Sequence, residues 1–215
     1  MTRAVAASAA SRWRARPAQL LRLLPGLWLF GSGEALLISA DLGNTPWTVL
    51  AQGVSLHTPL SIGAATFMIG LLVLCGWLPL RERPGLGTVS NVVVISLAID
   101  VMLPLLAVPS SGGARAAALL FGVLLIGAGS GLYLSAELGP GPRDGWMTGL
   151  HRRFGWPLSA VRFGIEAGVL VVGWALGGTV GIGTGVFVLL IGPAVGTGVM
   201  LLRRRAVPVA ADRPL

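Results

Sequence analysis

Three acidic side chains lie inside long apolar stretches of this sequence: Glu34, Asp100 and Glu166. A carboxylate inside a hydrophobic segment is costly and is tolerated where it faces a polar cavity or a partner. Glu34, in the run Gly31-Ser32-Gly33-Glu34, has no basic residue near it in the sequence. It therefore either lines a polar cavity or makes a contact between helices. Asp100 either contributes to a binding site or marks the approach to the outer membrane interface.

Glu166 has a basic neighbour at helical spacing. Arg162 precedes it by four residues, which on a helix places both side chains on one face. The simpler interpretation is a local ion pair near the cytoplasmic interface. The alternative is that Glu166 contributes to a binding site.

Two Gly-Pro turns, Gly43-Asn44-Thr45-Pro46-Trp47 and Gly139-Pro140-Gly141-Pro142-Arg143-Asp144, are the other candidate sites. Proline is favoured at the first position of a helix, so each turn predicts a short helix, over Thr45–Leu56 and Arg143–Phe154. Free amide groups at a helix N-terminus can hold an anion. Asn44, Trp47 and Asp144 are therefore candidate substrate-binding residues, unless the turns are only capped connections in which Asp144 complements the helix dipole.

No pattern in the sequence is typical of an enzyme. His57 and His151 are isolated, without the spacing of metal ligands. Cys75 lies in an apolar run with no base near it in the sequence. We therefore expect no catalytic residues, no metal site and no cofactor.

The elements that carry these residues are apolar helices. Hydrophobic residues make up 54% of the chain and charged residues 11%, whereas about a quarter of the residues in soluble domains are charged. A transmembrane helix needs about 20 apolar residues. The sequence predicts an all-α, polytopic membrane helix bundle, with the lipid bilayer as its surroundings. Its six spans are approximately 20–40, 60–80, 86–107, 116–136, 158–177 and 182–202.

The two halves of the chain repeat one pattern. Ser39-Ala40-Asp41-Leu42-Gly43 matches Ser135-Ala136-Glu137-Leu138-Gly139, and Gly85-Leu86-Gly87-Thr88 matches Gly181-Ile182-Gly183-Thr184. The matches predict two three-span repeats, 19–109 and 110–203, between a basic tail at 1–18 and a tail at 204–215. Because each repeat crosses the membrane an odd number of times, the second must be inverted relative to the first, as in several transporters. Each repeat includes one short helix, either interfacial or re-entrant.

The arginines give an independent indication of topology. All sixteen basic residues are arginine, and basic residues concentrate on the cytoplasmic side of membrane proteins. Six spans with both termini in the cytoplasm place every arginine except Arg115 on that side. The net charge of +8 therefore reflects membrane orientation, and we expect no nucleic-acid partner.

Glycines recur at intervals of four residues, as in Gly164 and Gly168 or Gly192 and Gly196. Such spacing lets helices approach closely. It predicts close packing within the bundle or a homo-oligomer formed through glycine-rich helix faces.

Several of these motifs resemble a known family. Leu42-Gly43-Asn44-Thr45-Pro46-Trp47, Arg83-Pro84-Gly85-Leu86-Gly87-Thr88-Val89 and Ile99-Asp100 are similar to segments of YczE-type bacterial membrane proteins, which are related to the wider YitT group. The resemblance covers about residues 20 to 203. Family members usually have Gly-x-Ser-Pro-Trp-Asp at the first turn, where this chain has Thr45 and Thr48 in place of the serine and the aspartate. The resemblance implies a multi-pass protein of the bacterial inner membrane.

These observations lead to two functional hypotheses. The inverted repeat and the buried carboxylates favour a small secondary transporter or permease for a small solute or ion, with its site between the repeats. The glycine-lined helix faces favour the alternative, a non-transporting membrane partner that supports the assembly or secretion of another component.

Overall fold

The computed structural model describes residues 12–206, with side chains for residues 12–201. The outer parts of the two predicted tails, residues 1–11 and 207–215, lie outside the described residues. The described chain is helical and has no β-strand, which confirms the all-α prediction. Its helices are α1 (Pro17–Ala40), α2 (Pro46–Leu56), α3 (Ile62–Cys75), α4 (Trp77–Leu80), α5 (Leu86–Met102), α6 (Gly112–Ser135), α7 (Pro142–Phe154), α8 (Leu158–Ala175) and α9 (Ile182–Ala206).

Six segments are long and apolar enough to cross a membrane, and they confirm the six predicted spans. The first begins at Pro17 rather than Leu20, because the Gln19 side chain accepts the backbone N–H of Arg16 at 2.9 Å and starts the helix early. The two short helices predicted after the Gly-Pro turns are also confirmed, as α2 and α7. The spans are Pro17–Ala40, Ile62–Leu80, Leu86–Leu105, Gly112–Ser135, Leu158–Ala175 and Ile182–Leu201.

The most extensive helix contact joins α1 to α6. It has two close points, Gly26 with Gly129 and Gly33 with Gly122, so the two helices run antiparallel. A Cβ atom on Gly129 would lie 2.5 Å from the carbonyl oxygen of Gly26, and one on Gly33 would lie 2.7 Å from that of Gly122. Only glycine permits this approach of backbones.

The last long helix of each half packs on the first in the same way. A Cβ atom on Gly31 of α1 would lie 2.6 Å from the Cβ of Ala98 on α5. A Cβ atom on Gly127 of α6 would lie 2.7 Å from the Cβ of Ala194 on α9. Adding 96 to the numbers of Gly31 and Ala98 gives Gly127 and Ala194, so these two contacts are equivalent. The same shift of 96 relates Gly26 to Gly122 and Gly33 to Gly129, so it exchanges the two contacts between α1 and α6. We call residues related by this shift counterparts.

The two Gly-Pro turns are held by reciprocal bonds between the halves. Gly183 at the start of α9 donates its N–H to the Leu42 carbonyl at 2.7 Å, and Gly87 at the start of α5 donates to the Leu138 carbonyl at 2.9 Å. The glycine after each leucine has a positive φ, of 109° and 118°, which favours glycine. Each half therefore fixes the turn of the other half.

Ion pairs lie at both ends of the bundle. Arg115, in the first turn of α6, bonds Asp41 at 3.2 Å beside the first Gly-Pro turn. At the other end, Arg152 in the last turn of α7 pairs with Glu82, which follows α4. The single arginine predicted to lie outside thus shares its end of the bundle with Asp41, as the predicted topology requires.

The halves differ in how their middle spans pack. In the first half, α3 packs along α5, whereas among the described residues α8 and α9 share no comparable interface. Instead, α8 packs on α2, where a Cβ atom on Gly173 would lie 2.5 Å from the backbone nitrogen of Leu50. The outer faces of α8 and α9 are apolar and exposed, and five of their glycines have open space where a Cβ would be: Gly164, Gly168, Gly185, Gly192 and Gly196.

Candidate functional site

A cavity of about 150 Å³ lies in the interior, between the beginnings of α2 and α7. Every long helix contributes to its wall. Several lining residues are counterparts of one another, namely Phe30 and Ile126, Pro46 and Pro142, Trp47 and Arg143, Asn91 and Phe187, and Ile95 and Ile191. The cavity is therefore built from equivalent positions of the two halves.

The beginning of α2 forms one side of the cavity. Thr45 caps the helix by accepting the backbone N–H of Thr48 at 3.3 Å, and Pro46 occupies the first helical position. Thr45, Pro46 and Trp47 all line the cavity. The sequence folds this way because a threonine followed by proline supplies both the cap and a fixed φ.

Glu34 lies directly behind this helix start. Its side chain is 1% exposed. Its carboxylate accepts a hydrogen bond from Thr48 Oγ1 at 2.6 Å and another from Thr45 Oγ1 at 3.1 Å. Glu34 does not itself line the cavity, but it holds Thr45, which does. The contact joins α1 to the start of α2.

The beginning of α7 forms the opposite side. Arg143 and Asp144 both line the cavity. Asp144 accepts a hydrogen bond from the hydroxyl of Tyr133 on α6 at 3.2 Å. Thr48 of α2 and Asp144 of α7 are counterparts, but their roles are opposite. Thr48 donates its hydroxyl to an acid on the long helix α1, whereas Asp144 is the acid and accepts a hydroxyl from the long helix α6.

Arg143, in the first turn of α7, contacts Trp47 in the first turn of α2. Its guanidinium carbon lies 4.8 Å from the centroid of the Trp47 ring, a cation–π contact between counterparts. Burial lowers the pKa of Arg143, and the negative charges of Glu34, Asp144 and Glu166 oppose that effect. Because an arginine does not lose its proton in a protein, the guanidinium keeps its charge.

Two indoles, of which Trp77 is buried, position α7. Trp77 donates its Nε1–H to the Pro142 carbonyl at 2.9 Å, and Trp146 donates to the Val73 carbonyl at 2.7 Å. Each indole lies where a Cβ on a glycine of the other helix would be, at Gly145 and Gly76 respectively. The small residues let the start of α7 press against α3 and α4.

Arg162 and Glu166 form the predicted ion pair, with Arg162 Nε 3.1 Å from Glu166 Oε1. Both residues also line the cavity. The pair is thus a local ion pair and also a charged part of the cavity wall. A local ion pair therefore does not exclude a contribution of Glu166 to a binding site.

Asp100 and Asn44 lie away from the cavity wall. Asp100 accepts bonds from Ser61 Oγ at 2.6 Å and from the backbone N–H of Gly63 at 2.9 Å, so it caps the start of α3. Asn44 is buried and donates its side-chain amide to Gln52 at 2.8 Å. A binding role for either residue stays a prediction, whereas Trp47, Asp144 and Glu166 are brought together.

Sequence reasoning did not select Thr45, Tyr133 or Arg143 as site residues. The arginine distribution indicates that Arg143 is a topology anchor. Its position in the first turn of a short helix is the signal that points to anion binding instead. Tyr133 is the only tyrosine of the chain, but nothing in the local sequence indicates its bond to Asp144.

Replacing Thr48 with valine is expected to lower the free energy of unfolding by about 1–3 kcal/mol, because the buried Glu34 carboxylate loses a donor. Thr197→Val is the matched control, since the exposed Thr197 hydroxyl donates only to the Pro193 carbonyl of its own helix. Thermal unfolding in detergent measures both variants. Equal shifts for the two would contradict the assigned role of Thr48.

Comparison with known proteins adds the family. The family described as "Family of unknown function (DUF6198)" matches residues 17–198. An "Uncharacterized protein" of Haemophilus influenzae is 42% identical over 188 residues, covering 87% of this chain and 86% of the relative. The "Uncharacterized membrane protein YczE" of Bacillus subtilis is 35% identical over 170 residues, covering 78% of this chain and 79% of the relative. No solved structure matches.

The resemblance read from the turn motifs is thereby confirmed. Six apolar helices of spanning length and a relative named as a membrane protein agree that the protein is integral to the membrane and multi-pass. The chain belongs to the DUF6198 family of YczE-like membrane proteins.

Proposed function

We propose that the protein is a small secondary transporter whose substrate site is the cavity between the two halves. The observation that carries the proposal is that the beginnings of α2 and α7 face one cavity, which is lined in part by counterpart residues. In inverted-repeat transporters, interrupted helices present such ends to the substrate near the middle of the membrane. On this proposal α2 and α7 are re-entrant helices rather than interfacial ones.

The proposal includes an inverted-topology repeat. The antiparallel packing of α1 on α6 supports it, because these helices begin the two halves. The contacts Gly26–Gly129 and Gly33–Gly122 are exchanged by the shift between the halves, as a two-fold axis in the membrane plane requires. Trp47 and Arg143 support it further, since counterparts that touch each other must lie beside that axis.

We place both termini in the cytoplasm and the protein in the bacterial plasma membrane. The arginine distribution supports this orientation. In this orientation the ion pair of Arg115 with Asp41 lies at the outer end. The pair of Arg152 with Glu82 lies at the cytoplasmic end.

Flux through proteoliposomes tests the transporter proposal. The purified protein is expected to move at least one solute, from a panel of organic acids, amino acids, sugars and inorganic ions, faster than protein-free liposomes do. Glu34→Gln is expected to lower that flux by about tenfold or more, because Glu34 positions the start of α2 against the cavity and small misplacements at a site are expensive.

The control is Glu82→Gln, which alters a carboxylate at the end of the bundle and outside the cavity wall. It is expected to retain flux. Both variants are first checked for a single monodisperse peak in size-exclusion chromatography. Absence of flux for every solute in the panel would contradict the transporter proposal, and equal flux in both variants would remove the role of Glu34.

A second candidate function is a membrane partner that supports another component. The open glycines on α8 and α9 support it, because they leave room for a neighbouring helix to approach closely. The same faces suit a homo-oligomer. Affinity isolation in mild detergent, followed by mass measurement of the intact particle, tests both. Recovery of the chain as a monomer would contradict both.

A further inference from the structure

The charged groups around the cavity differ in whether they have partners. The three carboxylates are all bonded, Glu34 to threonine hydroxyls, Asp144 to Tyr133 and Glu166 to Arg162. Arg143 is different: within residues 12–201 it makes no ion pair and donates no side-chain hydrogen bond, only its stacking on Trp47. A guanidinium carries five N–H donors. The cavity wall therefore offers unused donors, not unused carboxylates.

The stacking leaves those donors available. The guanidinium carbon lies over the Trp47 ring, and within residues 12–201 none of the guanidinium N–H groups donates a hydrogen bond to another group, so they are available to a ligand. Arg143 also stands in the first turn of α7, where the backbone amides and the helix dipole favour negative charge. The edge of the guanidinium and the helix end thus favour the same kind of ligand atom, an anionic oxygen.

Trp47 supplies a second unused donor beside Arg143. It lines the cavity and is only 8% exposed, and its Nε1–H has no hydrogen-bond partner. A buried indole N–H normally finds an acceptor. A ligand that brings an acceptor to the Arg143 edge would meet both groups, since the two side chains are in contact.

The size and the walls of the cavity limit the rest of the ligand. A cavity of about 150 Å³ is the size that admits a benzene ring in a protein interior. Aromatic and aliphatic side chains such as Phe30, Ile95 and Ile126 make up much of its wall. These walls suit a small apolar body attached to the anionic group.

We propose that this cavity binds a small organic monoanion, a carboxylate with an apolar body about the size of a benzene ring, whose anionic group pairs with Arg143. The inference rests on the proposed function in taking the cavity as the substrate site. Tyr133 and Asp144, bonded to each other, line the cavity together with Arg143, and the Arg162–Glu166 pair contributes the wall at α8.

Binding of three ring compounds of matched shape tests the inference on the whole protein in zwitterionic detergent. Benzoate is expected to raise the thermal unfolding midpoint and to bind measurably by calorimetry. Benzamide and benzylammonium are expected to bind at least tenfold more weakly, because they lack the anionic oxygen. Acetate and propionate extend the series to smaller carboxylates, and inorganic phosphate and nitrate test whether any oxyanion suffices.

Arg143→Gln is expected to weaken benzoate binding by about ten- to a hundredfold, the loss that a charge-assisted pair predicts. Arg143→Lys is expected to be intermediate, since it keeps the charge but not the planar edge. Arg115→Gln, which removes an arginine at the end of the bundle, is expected to leave binding unchanged. If Arg143→Gln fails to fold, the wild-type comparison of the matched compounds still decides.

Stronger binding of benzylammonium than of benzoate, or no binding of any carboxylate in the series, would overturn the inference. So would full retention of benzoate affinity in folded Arg143→Gln. Carboxylate binding without flux in proteoliposomes would leave the inference standing and defeat the transporter proposal. Flux of a cationic solute alone would support the transporter proposal and overturn the inference of an anion site.

Discussion

Replacing Gly129 with leucine is expected to prevent the protein from accumulating in a folded state. The Cβ atom alone would lie 2.5 Å from the Gly26 carbonyl oxygen and 2.7 Å from the Phe30 nitrogen. Both are backbone atoms of α1 and cannot rotate away. Overpacking a well-filled interior commonly costs about 1–3 kcal/mol, and a whole side chain against a helix backbone costs more. Fluorescence-detected size-exclusion chromatography measures the folded yield.

Gly168→Leu is the matched control, because that glycine also lies within a long helix but has nothing within 4 Å of an added Cβ. It is expected to fold normally and to gain slightly from the better helix propensity of leucine. Gly33→Leu, at the counterpart of Gly129, is expected to fail as Gly129→Leu does. A normal yield of Gly33→Leu beside a failed Gly129→Leu would contradict the equivalence of the two contacts.

Single cysteines at Asp41 and Glu137 are expected to react with a membrane-impermeant maleimide from opposite sides of the membrane. The two residues are counterparts, both are exposed, and both have a positive φ, of 52° and 56°. Such matched sites should differ only in the compartment they face. Asp41→Cys is expected to label in intact cells, and Glu137→Cys only after the membrane is opened.

The background for this experiment is Cys75→Ala, since Cys75 is the one cysteine of the chain and is exposed. Cysteine in place of Gly112, which lies in open space at the start of α6, is a positive control expected to label from outside. Labelling of Asp41→Cys and Glu137→Cys from the same side would end the inverted-repeat proposal. The result is close to all-or-none and needs no substrate.

Much of the fold was predictable because its signals are local in the sequence. The six spans follow from apolar length, and the starts of α2 and α7 follow from proline beside a cap. The packing of α8 on α2 instead of along α9 was not predictable. This packing depends on which helix surfaces, distant in the sequence, are complementary. The local sequence around Gly53 and Gly173 does not indicate that these glycines pack on each other's helices.

The candidate site was predictable only in part, for the same reason. The sequence singled out Glu34 as lacking a local partner, but its partners Thr45 and Thr48 come from the next helix. Asp100 also lies in an apolar segment, but its carboxylate accepts hydrogen bonds from Ser61 and from the start of α3. Apolar surroundings identify an unusual charge, whereas only the pairing of helices distinguishes a cap from a cavity residue.

The reciprocal bonds of the two turns carry a consequence for origin. Leu42 needs the N–H of Gly183, and Leu138 needs that of Gly87, so a polypeptide containing a single half would lack both the donor and the acceptor it requires. Two copies of that polypeptide, one upside down relative to the other, would supply each other completely. Under the proposed inverted repeat, these bonds favour a dual-topology homodimer as the ancestor, whose fused copies could then diverge to Trp47 in one half and Arg143 in the other.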